Sequence, residues 1–316
     1  MENLKDIVAN CEIADKIADV KPLGEGLIND TYKVFVDGSD KPKYVLQRIN
    51  NAIFQDVDML MDNINKVTDH LRKKGKKTLK FYPTESKKYY YLDEISPLPA
   101  VGRNDGKKDG SKYWRLMDYV PDSLTYQTVN SHFSYLAGKS FGEFEYLLSD
   151  LNEPIGEIIP NFHNIEFRLQ QLRDAVSEDR AGRVREVQYY LDEIFKREEK
   201  MTLGERLFRE GKLPKRICHC DTKVNNMLFD KDGNVLCIID LDTVMPSFVF
   251  SDYGDFLRTA ANTGLEDDQN LDNIDFNMEI YEAFTKGYLE STEDFSFQWK
   301  KKIFHTPPCC SHTCRP

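Results

Sequence analysis

One stretch constrains this chain more than any other. His219-Cys220-Asp221-Thr222-Lys223-Val224-Asn225-Asn226 is followed, after a short apolar stretch, by Cys237-Ile238-Ile239-Asp240-Leu241-Asp242. The residues between them, Met227 to Ile239, read as two short strands around an Asp232-Gly233 turn, a strong hairpin signal. Such a hairpin ties the foot of its first strand to the end of its second. It is therefore expected to bring Asn226 beside Asp240.

The residue types in that pattern suit one chemistry. Moving a phosphoryl group onto a hydroxyl needs a carboxylate to accept the proton, oxygen ligands for a hard divalent cation, and a positive side chain near the moving group. Asp221, Asn226, Asp240 and Lys223 supply these functions in order. A polar turn alone matches such a motif by accident often. Two halves in the right order, joined by a hairpin, do not fit an ordinary exposed loop as well.

Length and charge agree with a globular enzyme. The 316 residues suit two domains at roughly 100 to 200 residues each. A formal net charge of -10 argues against nucleic acid or an anionic membrane as the main partner. The chain has no run of 18 apolar residues and no signal-peptide core, so a cytoplasmic location is expected. Of the 7 cysteines, Cys218 and Cys220 form a CxC without a second Cys or His pair nearby, and zinc is not expected.

The first 121 residues read as a small sheet lobe. An amphipathic helix is expected within Met1 to Val20, then strands over Val20 to Gly24, Thr31 to Val36, Tyr44 to Ile49, Lys88 to Asp93 and Lys112 to Val120. Asp56 to Lys74 carries apolar residues at helical spacing and stops at Gly75. Gly24 and Gly26 permit close backbone approach to phosphates, although a GxG turn alone is more often a plain hairpin. The stretch Gly102 to Lys112 reads as a surface loop. Residues 122–299 read as mainly helical, with apolar stripes at Leu136, Phe141, Phe144, Leu147 and Leu148, at Phe167, Leu169, Leu172 and Val176, and at Tyr189, Tyr190 and Ile194, all expected to be core. Residues 300–316 show no helical period and form an atypical tail. The stripes are accounted for by one core, so nothing marks an oligomer.

Further strings carry a resemblance. Ile239-Asp240-Leu241-Asp242-Thr243-Val244-Met245-Pro246, then Asp252-Tyr253-Gly254-Asp255 and Arg258, and the earlier Ile159-Pro160-Asn161-Phe162-His163-Asn164 resemble the aminoglycoside phosphotransferase superfamily. Within it they are most similar to the N-acetylhexosamine 1-kinase branch. The resemblance covers roughly residues 20 to 298. It implies an α+β, protein-kinase-like bilobal fold with a small antiparallel-sheet lobe and a larger helical one, ATP and Mg2+ as cofactors, and transfer of the γ-phosphoryl group to a sugar hydroxyl, the anomeric one of an N-acetylhexosamine. The alternatives are an amino alcohol or aminoglycoside acceptor, and a kinase-like binding module without turnover.

Carried over by position, the resemblance makes Asp221 the catalytic base, with Lys223 near the γ-phosphate or the acceptor. Asn226 and Asp240 become metal ligands, and Asp242 binds metal or an acceptor hydroxyl. Asp118-Tyr119-Val120 follows as the hinge meeting adenine, while His219 shapes the loop. Asn29, His163, Asn164 and Arg258 are candidate acceptor contacts, although His163 also reads as a core or capping residue and Arg258 as a partner of Asp255 or Asp252. The usual phosphate-gripping lysine is missing from the third strand, where Gln47 and Arg48 face opposite sides and only one can reach a nucleotide. Its acidic helix partner is expected at Asp58 or Asp62.

Overall fold

The computed structural model describes residues 4–23, 28–93, 112–126, 129–264 and 269–292. Gly24, Gly26, the loop from Gly102 and the tail 300–316 lie outside them. The chain divides into two compact units. The first comprises Met1–Leu124, Leu151–Ile159 and Leu228–Asp242, and the second Thr125–Asp150, Pro160–Met227 and Thr243–Pro316.

In the first unit, alternation dictates the sheet. Helix α1 (Leu4–Ala9) precedes β1 (Ile17–Pro22), β2 (Asp30–Val36) and β3 (Pro42–Ile49); then come α2 (Val57–Lys73), β4 (Phe81–Tyr82), β5 (Tyr91–Asp93) and β6 (Lys112–Asp118). The order is β1-β2-β3-β6-β4, with β5 also on β6, and all pairs are antiparallel. Val34, Val36, Tyr44, Leu46, Trp114 and Leu116 point to one face and close a core with Ile7, Val8 and Cys11.

The N-terminal helix is shorter than its apolar spacing suggests. It ends at Ala9, Cys11 bridges to Thr84, and Ile17 onward pairs with β2. Pairing with a strand satisfies the backbone of Ile17 to Pro22 and overrides a weak helical preference. By contrast α2 matches its pattern: the Asp56 side chain accepts from the Met59 N–H, and Leu60, Met61, Ile64, Val67 and Leu71 are buried. Asn63 on α2 exchanges two hydrogen bonds with the Gly156 backbone, at 2.8 and 2.9 Å, which holds residues 151–159 against the first unit.

The second unit contains α3 (Ser131–Leu147), α4 (Ile165–Glu178), α5 (Gln188–Met201), α6 (Leu203–Arg209) and β7 (Arg216–Cys218). The hairpin β8 (Met227–Phe229) and β9 (Val235–Ile238) follows, counted with the first unit from Leu228 onward. Then β10 (Met245–Ser247) pairs with β7, ahead of α7 (Val249–Ala260) and α8 (Met278–Ser291). Helices α3 and α8 touch backbone to backbone: a Cβ on Gly138 would lie 2.1 Å from the Phe284 carbonyl oxygen, and one on Gly287 2.1 Å from that of Tyr135. Only glycine permits this approach.

Not every predicted stripe is core. Tyr189 and Tyr190 on α5 are 71% and 55% exposed, and Phe167 on α4 is 40% exposed. Ring size alone does not bury a residue on a helix that covers the unit from outside. Among the described residues no helix is long and apolar enough to cross a membrane.

Candidate active site

The loop after β7 is built around a buried carboxylate. Asp252, on α7 and 1% exposed, accepts the backbone N–H of His219 at 2.6 Å and of Cys220 at 2.9 Å. Three residues further along the helix, Asp255 accepts the Thr222 N–H at 3.1 Å. The spacing puts both carboxylates on one face of α7. Cys220 takes φ 64°, a left-handed conformation that costs a non-glycine residue roughly 1–2 kcal/mol. The bonds from α7 hold it there.

His219 is fully buried and shapes this loop. Its Nδ1 accepts the Asp221 N–H at 3.3 Å, its carbonyl accepts from the Thr243 hydroxyl at 2.8 Å, and its ring meets Phe141 and Phe144 edge-on. The outcome is that Asp221 stands at a fixed point. Lys223 Nζ lies 3.0 Å from Asp221 Oδ1, and Asn226 Nδ2 donates to Asp221 Oδ2 and to its carbonyl, both at 2.9 Å. With its nitrogen so engaged, Asn226 offers a cation its Oδ1. The loop therefore brings together Asp221, Lys223 and Asn226.

In the first unit, Asp240 follows β9 with φ 58°, a second left-handed non-glycine residue. Oxygen donors of the Asp240 and Asn226 type fit a hard divalent cation such as Mg2+. Asp242 is set differently. It is 3% exposed, its Oδ1 pairs with Arg115 Nη1 at 2.5 Å and its Oδ2 accepts from Asn29 Nδ2 at 2.7 Å. Each oxygen is already engaged inside the protein, which places Asp242 in a buried ion-pair network. Asn29 belongs to the same network: its Oδ1 accepts the Asn50 N–H at 2.9 Å while its Nδ2 donates to Asp242.

Arg115 is the residue that the sequence reading missed. It sits on β6 directly opposite Gln47 on β3, and its Nε and Nη2 donate to Gln47 Oε1 at 2.9 and 2.5 Å. Gln47, not Arg48, therefore shares the face with Asp242. Arg48 turns to the opposite face and pairs with Asp30 at 3.4 Å. Opposite Gln47 the positive charge sits one strand over, on β6. Its acidic partner is Asp242; Asp58 pairs with Lys88 and Asp62 with Lys66, both at the surface. The one signal in the sequence was an arginine inside the apolar run Trp114, Leu116, Met117.

At the predicted hinge the Asp118 and Tyr119 N–H groups donate to the Lys80 and Lys43 carbonyls, both at 3.0 Å, while Ser123 bonds the Val120 carbonyl at 2.8 Å. The Asp118 carboxylate accepts from Tyr82 at 2.6 Å.

The remaining candidates lie in the second unit. Asn164 caps α4, accepting the Phe167 N–H at 3.1 Å, and its Nδ2 donates to Asn161 at 2.9 Å, so its place is structural. Arg258 forks onto Asp255 through Nε and Nη2 at 3.3 and 2.9 Å, which ties it to the loop through Thr222. His163 stacks on Phe162 with ring centroids 4.5 Å apart, and its buried Nδ1 has no hydrogen-bond partner among the described residues. Burial holds its pKa down against the pull of Asp255 and Asp221, and the ring stays neutral near pH 7. Both His163 and Arg258 line a cleft of about 570 Å3 with Arg168, Glu205, Phe248 and Asp255.

Solved structures share this architecture at low identity. An amicoumacin kinase in complex with AMP-PNP and Ca2+ superposes with a TM-score of 0.56 at 14% identity, covering 92% of this chain and 78% of that one. A microcompartment-associated aminopropanol kinase gives 0.53 at 13% identity, over 91% and 80%. An aminoglycoside phosphotransferase from Alicyclobacillus acidocaldarius gives 0.52 at 14% identity, over 91% and 77%. These likenesses establish the kinase-like α+β fold. The family model described as "Phosphotransferase enzyme family" (APH) matches residues 19–293, most of the chain, and the protein belongs to that family.

Proposed function

We propose that this phosphotransferase uses ATP and Mg2+ to phosphorylate a sugar hydroxyl, the anomeric hydroxyl of an N-acetylhexosamine. The observation that carries the phosphoryl-transfer part is Asp221, held between Lys223 and Asn226 on a loop anchored by Asp252. In this reading Asp221 accepts the acceptor proton and Lys223 faces the charge on the transferred group. Asn226 and Asp240 would hold Mg2+, which when bound offsets phosphate charge.

The cleft beside the loop supports a neutral ring as acceptor. Phe162 and His163 stack at 18° between planes, and Phe248 and Phe250 at 8°, and these flat apolar faces suit the C–H side of a sugar. Arg168 and Arg258 stand against Glu205 and Asp255, so the lining is not strongly anionic and a polycation gains little there. The second reading, a small amino alcohol, is favoured by the aminopropanol kinase among the structural neighbours.

ADP release across N-acetylglucosamine, N-acetylgalactosamine, glucose, galactose, choline and kanamycin tests the proposal, with Asp221→Ala as control. Release with an N-acetylhexosamine that drops by two orders of magnitude or more in the variant is expected. Release with choline alone moves the acceptor to an amino alcohol. Undiminished release in Asp221→Ala removes the assigned base.

A further inference from the structure

Beneath the Asp221 loop lies a second carboxyl group that phosphoryl transfer does not use. Glu145, near the end of α3, is 1% exposed. Its Oε2 accepts from the Tyr288 hydroxyl on α8, and its Oε1 is buried with no donor to accept from among the described residues. Oxygens of Glu145 and Asp252 and the Sγ of Cys218 all lie within 4.8 Å of one another. Asp252 already accepts two backbone N–H groups, so it is the better-stabilised anion of the pair.

Two carboxylates this close, both out of water, cannot both be charged without a large cost. A proton on one of them removes the repulsion and gives the orphaned oxygen a hydrogen bond to donate. We propose that Glu145 is held as the neutral acid and shares its proton with Asp252, making Glu145 a positioning residue for the loop that carries Asp221. The pair then holds one proton and one negative charge. That single charge sits where the N–H groups of His219 and Cys220 converge.

The surrounding groups fit this assignment. From β7 come Arg216, whose charge draws the glutamate pKa down, and Cys218, a neutral thiol. The loop brings His219 and Cys220, α7 brings Asp252 and Asp255, and α8 brings Tyr288. Desolvation, reinforced by Asp252, pushes Glu145 well above the usual carboxylate range, and outweighs Arg216 and the Tyr288 hydrogen bond. Asp252 is itself raised to about 6, mainly by burial.

The sign of the linkage follows. A carboxyl whose folded pKa is raised contributes most below its unfolded value, and stability is lost as pH climbs towards the folded value. Glu145→Gln keeps the shape and an N–H donor but has no proton to lose. Urea unfolding of the two proteins above about pH 5 is expected to show the folding constant of the variant gaining on wild type as pH rises, by about tenfold per pH unit for as long as folded Glu145 keeps its proton. Parallel curves would overturn the proposal. Carbon-13 NMR of the glutamate carboxyl reads the same proton directly in the unmutated protein, Glu145 being the resonance absent from Glu145→Gln. It is expected to remain in the protonated position at pH 7, and a midpoint at or below about 5 overturns the proposal. A stoichiometric metal ion in the purified protein, lost in Cys218→Ala, also overturns it. That the loop is catalytic rests on the proposed function, but both titrations are read without nucleotide or acceptor, so the two readings fail separately.

Discussion

Removing Arg115 tests the network around Asp242 most severely. The side chains of Arg115 and Asp242 are 3% and 4% exposed, so neither charge has water to fall back on. In direct contact, with charge centres about 4 Å apart, they attract by about 4 kcal/mol at an effective dielectric near 20. Desolvating two ions costs several kcal/mol each, so the net worth of the pair is close to zero. Deleting one partner is a different matter. Arg115→Met leaves the Asp242 carboxylate buried with Asn29 as its remaining described donor, at a cost of about 3–5 kcal/mol. At roughly 2–4 °C per kcal/mol for a unit of this size, the melting temperature falls by about 6–20 °C. Arg115→Met combined with Asp242→Leu removes both charges and is expected to recover most of that loss. Calorimetry of the two single variants and the double variant measures the cycle. Single variants within about 1 kcal/mol of wild type, or a double variant that is worse than either, would refute a buried pair.

Two further outcomes are expected. Gly138→Ala forces a Cβ to 2.1 Å from the Phe284 carbonyl, which a rigid helix backbone cannot yield, and a loss of about 3 kcal/mol or more is expected by chemical denaturation, against under 1 for Gly254→Ala, where a Cβ meets nothing within 4 Å. Burial pushes the thiols of Cys237 and Cys11 up to about 11 and 12, and those of Cys218 and Cys220 upward too. Iodoacetamide at pH 7.5 is accordingly expected to leave these four unmodified in the native protein and to label them after unfolding, as peptide mapping by mass spectrometry would show.

What the sequence makes legible is local. The apolar spacing of α2, its stop at Gly75, the strands β2 and β3, and the turn at Gly233 each depend on residues within a few positions of one another, and the structure has all of them. Arg115 escapes for the opposite reason. Gln47 is 68 residues away and Asp242 is 127, and no spacing rule spans such distances. Alternation could say that Gln47 and Arg48 face apart, but not which face carries Asp242. The two-residue β4 is too short to show any period, and the end of α1 is set by a strand partner that the local pattern does not contain.

Asp252 lies between these cases. Asp252-Tyr253-Gly254-Asp255 offers two acids in the sequence, with a salt bridge of Arg258 to Asp255 or Asp252 as the plain expectation. The second acid makes that pair. The first turns inward and accepts two backbone N–H groups, and together the acids fix the N–H groups of residues 219, 220 and 222. A loop held by three such bonds can keep Cys220 in a left-handed conformation that its own side chain disfavours. That backbone conformation sets where Asp221 stands. The position of the proposed base is therefore determined by a helix that begins 28 residues later, at Val249, and by the charge state of the carboxyl pair beneath it.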